Sequence, residues 1–142
     1  MNKTPLVKDY MTAPAFTLKP DQSIYEAMEF FLDHKISGAP VVDDDNKILG
    51  VISEKDCLKL VAKDTDHHPW DVNVADFMTK KVVCIVPDMD IYYAAGMFLN
   101  NVYRRLPVVE KGKVIGQISR RDVLRAIKDN IVKTDNLITH IN

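Results

Sequence analysis

The hexapeptide VKDYMT at residues 7–12 returns at residues 74–79 as VADFMT, with four of six positions identical and Tyr10 meeting Phe77. The same offset places Pro20 and Asp21 on Pro87 and Asp88, Ile24 on Ile91, Ala27 on Ala94, Phe31 and Leu32 on Phe98 and Leu99, and the PVV at Pro40 on the PVV at Pro107. One residue is then lost, where the turn DDDNK faces the shorter EKGK. From there Gly50 meets Gly116, Ser53 meets Ser119, Asp56 meets Asp122 and Leu58 meets Leu124. A chain of 142 residues that carries the same pattern twice must build the same module twice. A module of that size buries little surface alone, so the two copies are expected to pack sheet against sheet and share a core. The first module spans residues 1–63, a polar, proline-broken linker (DTDHHPWDVN) residues 64–73, the second module residues 74–128 and a C-terminal tail residues 129–142.

The periodicities give each copy an order of elements. AFTL is strand-like. Ser23 and Glu26 form an S-x-x-E capping box before a helix whose Ile24, Ala27, Met28, Phe31 and Leu32 lie on one face and which ends near Lys35. APVV and ILGVIS follow as two short strands, joined by an Asp- and Asn-rich turn into a hairpin. A second helix starts after Ser53 and is expected to turn Cys57, Leu58 and Val61 inward. The second copy repeats this with VVCIV, a helix from Asp90 carrying Ile91, Ala94, Ala95, Phe98 and Leu99, the strands LPVV and VIGQIS, and a helix with Val123, Leu124 and Ile127 inward. The fold class is α/β (α+β), strand, helix, strand, strand, helix in each copy. The tail, with LITHI, is expected to be a short helical extension.

Composition narrows the function. Basic and acidic residues number 19 and 20, which argues against an overall electrostatic grip on nucleic acid or membrane. The opening MNKTPLVKDYM has no apolar core of signal-peptide length and the apolar runs are strand-sized, so a soluble, cytoplasmic protein without a membrane segment is expected. Cys57 and Cys84 lack metal-ligand spacing and read as buried free thiols. His67 and His68, adjacent in the linker without a third ligand, read as solvated, and Trp70 as a cap on an apolar surface or a subunit contact. Ser53 and Ser119 have no sequence-evident base among the scattered His34, His67, His68 and His140, and no Gly-rich phosphate loop occurs, so a non-enzyme with no obligatory cofactor is expected.

The ordered set V-x-D-[YF]-M-T, P-D, PVV and G-x-I-S-x-x-D, present twice, resembles a tandem pair of CBS domains, the cystathionine-beta-synthase-type module, from Val7 to about Lys128. The resemblance implies a βαββα fold for each copy, a pseudo-twofold pair with two clefts, assembly into a homodimer, and a stand-alone regulatory role toward a protein that the sequence does not name. It also implies binding of an adenosine-containing ligand: AMP, ADP, ATP or S-adenosylmethionine.

The elements GVISEKD and GQISRRD, at residues 50–56 and 116–122, admit two physical roles. Ser53 and Ser119 are N-caps, with Asp56 and Asp122 in the capping-box position. The resemblance adds that Ser and Asp of this element hold a phosphate and a ribose diol. The second copy surrounds its element with Arg104, Arg105, Arg120 and Arg121, whose planar forks match phosphate, whereas Glu54 stands in the first copy. By resemblance the base lies against Thr79, Lys81, Val82 and Val83 and against Tyr103, Arg104, Arg105, Leu106 and Pro107. The matching positions of the first copy are Thr12, Ala15 and Phe16 with Ser37, Gly38, Ala39 and Pro40. The ligand is expected to be an adenine nucleotide sensed on behalf of a partner. A dimerisation or interaction module with vestigial clefts is the alternative from another class. A third reading is a nucleic-acid surface on Arg104, Arg105, Lys111, Lys113, Arg120, Arg121 and Arg125.

Overall fold

The computed structural model describes residues 4–63 and 68–141. The chain divides into two compact units: one takes Ala15–Val83 with Lys111–Val114, the other the chain up to Pro14, Cys84–Glu110 and everything from Ile115 on.

In the first unit α2 (Ile24–His34) starts where the sequence places it. Ser23 Oγ accepts from the Glu26 N–H at 3.1 Å, Glu26 returns a carboxylate oxygen to the Ser23 N–H, and Lys35 ends the helix in the left-handed region at φ 54°. Strands β1 (Gly38–Val42) and β2 (Ile48–Ser53) pair antiparallel from Gly38 opposite Ser53 to Val41 opposite Gly50. Their turn is held by Asp43, whose Oδ1 accepts from the Asp45 and Lys47 N–H groups at 2.9 Å, with Asn46 at φ 66°. Ile24, Ala27 and Phe31 of α2 meet Ala39, Val41 and Ile52 of the hairpin and Leu60 of α3 (Glu54–Lys63) in one buried cluster. The expected first strand, AFTL, contracts to a single parallel bridge. Leu18 N–H donates to Pro40 O, and Val42 N–H donates to Leu18 O. Pro20, two residues on, has no N–H with which to extend the ladder.

The second unit repeats these features. Helix α5 (Ile91–Leu99) is capped by Asp90 Oδ1, 2.7 Å from the Tyr92 N–H. Ile85 makes the parallel bridge to Val108, and β3 (Arg105–Glu110) pairs with β4 (Lys113–Ser119). Helix α6 (Arg120–Ile141) continues unbroken from the second copy's last helix through LITHI.

The short helices are exchanged between the copies. Helix α1 (Val7–Tyr10), at the start of the first copy, joins the second unit. Val7 and Lys8 donate backbone N–H groups to Met89 O and Pro87 O, and Ile91 N–H donates to Pro5 O. Helix α4 (Val74–Phe77), at the start of the second copy, joins the first unit in the same way, with Val74 N–H to Gln22 O, Ala75 N–H to Pro20 O and Ile24 N–H to Val72 O. The part of the linker from Pro69 on is therefore anchored: Val72 is buried, Pro69–Asp71 form a 3-10 turn, and Trp70 stacks on Tyr25 with ring centroids 4.0 Å apart. His67 lies outside the described residues.

The helix faces differ from expectation. Leu32, Leu58, Val61, Leu99 and Leu124 are exposed. In α3 the inward residues are Asp56, Cys57 and Leu60, and in α6 they are Asp122, Val123 and Ala126. The reason is the cap. With Asp56 and Asp122 buried beside their serines, Leu58 and Leu124, two positions on and so about 200° around the helix, fall on the outer face. Both cysteines are free. Cys57 is buried, which together with the nearby Asp56 pushes its thiol up to about 11, whereas Cys84 is only half-buried, with its thiol raised by that burial. No helix among the described residues is long and apolar enough to cross a membrane.

Candidate functional site

The repeated G-x-I-S-x-x-D element sits in both units at the passage from a strand to a helix. In the second unit Asp122 Oδ2 accepts the Ser119 N–H at 2.8 Å and Ser119 Oγ accepts the Asp122 N–H at 3.1 Å. In the first unit Asp56 Oδ2 accepts both the N–H and the hydroxyl of Ser53, at 2.9 and 3.1 Å, and Ser53 Oγ accepts the Asp56 N–H at 3.3 Å. The capping role of both aspartates is thus realised, through one carboxylate oxygen each. The second oxygen differs: Asp122 Oδ1 meets the Arg125 guanidinium at 3.1 Å, while Asp56 Oδ1 has Lys59 at 3.9 Å. Arg125 also lies over the Tyr10 ring, 5.7 Å from its centroid. The Tyr10 hydroxyl donates to Asp129 at 2.9 Å, a bond that raises its pKa.

The second unit gathers Tyr103, Arg104, Arg105, Leu106, Pro107, Ser119, Arg120 and Asp122 at one end of its strand pair. The Arg120 N–H donates to Arg104 O at 3.1 Å, bringing the two segments together. Leu106 and Pro107 are buried, Arg105 is half-buried, and Arg104 and Arg120 are exposed. The first unit gathers the matching residues: Glu54 N–H donates to Ser37 O at 2.9 Å, Gly38 pairs with Ser53, and Ala39 and Pro40 are buried. Ala15 and Phe16 belong to this unit and are half-buried, with the Phe16 ring against Phe30 and His34. Lys81, Val82 and Val83 also belong to it, Lys81 exposed and the two valines half-buried.

The role of the glycines is visible only in three dimensions. Thr79 pairs with Val51 by two backbone hydrogen bonds, 2.9 and 2.8 Å, and Thr12 pairs with Gln117 by two of 2.9 Å. The M-T of each copy therefore lies across the G-x-I-S strand of the other. A Cβ on Gly50 would stand 2.7 Å from Thr79 O, and one on Gly116 2.7 Å from Thr12 O. The sequence signal for this was present, since M-T and G-x-I-S both recur, but nothing in it says which copy pairs with which.

Of the seven cations in the expected basic strip, Lys111 and Lys113 belong to the first unit and the five arginines to the second. Arg120 and Arg125 are already engaged by carbonyl and carboxylate oxygens. Among the described residues no group of three or more His, Cys, Asp or Glu could hold a metal ion.

The family model described as "CBS domain" matches residues 7–63 and 74–129. The crystal structure of CBSX2 of Arabidopsis thaliana in complex with AMP is 33% identical, covers 87% of this chain and 96% of that one, and superposes with a TM-score of 0.74. A CBS-domain pair in complex with methylthioadenosine and S-adenosyl-L-methionine is 26% identical over 89% of this chain and 98% of its own, with a TM-score of 0.75. An uncharacterized protein of Methanocaldococcus jannaschii is 31% identical over 121 residues, which are 85% of this chain and 42% of that protein. The chain thus spans less than half the length of that curated relative.

Proposed function

Since the chain belongs to the CBS-domain family as a pair of CBS modules, we propose that it is a regulatory, non-enzymatic sensor of adenine nucleotides. It takes AMP, ADP or ATP and signals the occupancy to a partner protein. Asp122 accepts the ribose hydroxyls, Ser119 and the start of α6 face the phosphate, Leu106 and Pro107 offer apolar surface, and Arg104, Arg105 and Arg120 favour a phosphorylated ligand. The observation that carries this reading is the Ser119–Asp122 element, backbone-bonded to the arginine-bearing segment at Arg104 in one unit. The AMP complex of a relative with the same pair of modules supports it. The first copy, with Glu54 in place of Arg120 and the Ser53 hydroxyl donated to Asp56, is the weaker site.

A ligand bound only by the folded protein at about 100 times its dissociation constant stabilises by roughly 2.7 kcal/mol, which for a chain of this size is a melting shift of roughly 5 to 10 °C. AMP or ATP is expected to produce it in a thermal melt. A folded protein that neither compound stabilises at millimolar concentration returns the chain to the class of interaction modules.

We also propose that the chain forms a homodimer through its helices. The apolar side chains left for it are Leu32, Leu58 and Val61 in one unit and Leu99, Leu124 and Ile131 in the other, all more than half exposed. Met28 and Met97, expected from the sequence to serve here, are half-buried and Phe98 is buried, so they are spent within the units. Light scattering at micromolar concentration should give twice the chain mass, and a monomer alone overturns this assembly.

A further inference from the structure

Arg120 is the one arginine of the proposed phosphate site that the fold already holds by its guanidinium. Its Nε–H donates to Tyr103 O at 3.2 Å and an Nη–H to Asn101 O at 3.4 Å, so the side chain reaches back across residues 100–104, the loop between α5 and β3. The far end of that loop is pinned separately, by the Arg120 backbone N–H on Arg104 O. The first copy keeps the backbone bond, Glu54 N–H to Ser37 O, but its side chain is a carboxylate, which cannot donate to carbonyl oxygens. The clasp therefore belongs to the second copy alone. The two most exposed large hydrophobic side chains of the described residues, Leu99 at 87% and Val102 at 88%, flank it.

A guanidinium on two neutral carbonyls exchanges favourably for a phosphate, where the same donors make charge-assisted, bidentate bonds. We infer that Arg120 is a phosphate-operated latch: a phosphorylated adenosine ligand draws it off Asn101 and Tyr103 and frees the loop that carries Val102, whereas an adenosine ligand without phosphate leaves the loop clasped. The inference rests on the nucleotide-sensing function proposed above. It gives that function an output, because exposed Val102, carried on the loop beside Leu99, is rearranged only when phosphate is bound. Ligands that share the adenosine are thereby sorted by charge at Arg120 rather than by grip on the ribose.

The test follows the backbone carbonyl carbon resonances of Asn101 and Tyr103 in the full chain, titrated to equal saturation with AMP, adenosine and methylthioadenosine. AMP should move both resonances, whereas the two phosphate-free compounds, whose base lies against Tyr103, should leave that of Asn101 in place. In Arg120→Gln the ligand-free resonances should already be displaced, and AMP affinity should fall by about five- to tenfold with adenosine affinity nearly unchanged. If AMP binds but moves neither carbonyl, if adenosine moves them as far, or if Arg120→Gln binds AMP as the wild type does, the latch is overturned and nucleotide sensing stands. If none of the three compounds binds, both are overturned.

Discussion

Replacing Gly116 by alanine is expected to destabilise the protein by about 2 to 4 kcal/mol, a loss of roughly 10 °C in melting temperature. The added Cβ would stand 2.7 Å from the Thr12 carbonyl oxygen and 3.0 Å from the Met11 sulfur. The methionine end can turn away, but the Thr12 oxygen is backbone, fixed by its hydrogen bond from the Gln117 N–H. Relief therefore means parting the Thr12 segment from β4 and giving up that pair of bonds. Gly50→Ala should behave alike, since its Cβ meets Thr79 O at the same 2.7 Å. Gly96→Ala is the control of opposite sign. It lies within α5 with nothing inside 4 Å of the new Cβ, so it should gain about 0.5 to 1 kcal/mol from helix propensity. Chemical denaturation of the three variants decides the matter. A Gly116→Ala protein as stable as the wild type would show that the Thr12 segment does not need to lie against Gly116.

Asp122→Asn should lower AMP or ATP affinity at least tenfold, at roughly 1.5 to 3 kcal/mol for a hydrogen bond to a charged group, while leaving the ligand-free melting temperature nearly unchanged. The structure explains why the two effects separate. An asparagine oxygen can still accept the Ser119 N–H that Asp122 now accepts at 2.8 Å, so the cap survives. What is lost is the ion pair with Arg125, whose guanidinium side chain is half exposed, a contact worth little in water. A ribose diol, by contrast, would lose the negative charge to which both hydroxyls donate. Asp56→Asn makes the same change in a cap that also accepts the Ser53 hydroxyl, with Lys59 at 3.9 Å in place of Arg125. It should weaken binding much less. Small and equal effects of the two substitutions, measured by titration calorimetry, would reduce both elements to helix starts.

Much of the local structure was legible because its causes are local. The Ser23–Glu26 box, the helix end at Lys35 and the hairpin turn at Asp43 are each set by residues within four positions of one another, and all stand where the sequence puts them. The Ser-x-x-Asp caps were legible for the same reason, but the burial of their aspartates was not, and with it the helix faces differ from those expected. A periodicity count places Leu58 and Leu124 inward because they are apolar. It gives no weight to Asp56 and Asp122, which are buried with their carboxylates bonded to Ser53 and Ser119 and so place the leucines two positions on at the opposite side of the helix. The expected strand AFTL shrank to Leu18 because strand length depends on what pairs with it, which alternation alone does not report.

Two modules, the longer helices and the hairpin of each, the starts of those helices and the concentration of arginine in the second copy all follow from the residues alone. The exchange of α1 and α4, by which VKDYMT completes the second copy and VADFMT the first, is set by long-range packing. The two segments are so alike, and the Gly50 and Gly116 strands that receive them so nearly equivalent, that local preference cannot distinguish self-pairing from exchange. The choice is made by the chain as a whole. Each short helix stands before its own module, and the free energy of the exchanged arrangement lies in contacts between residues far apart in sequence, such as Thr12 with Gln117, which no window on the sequence contains.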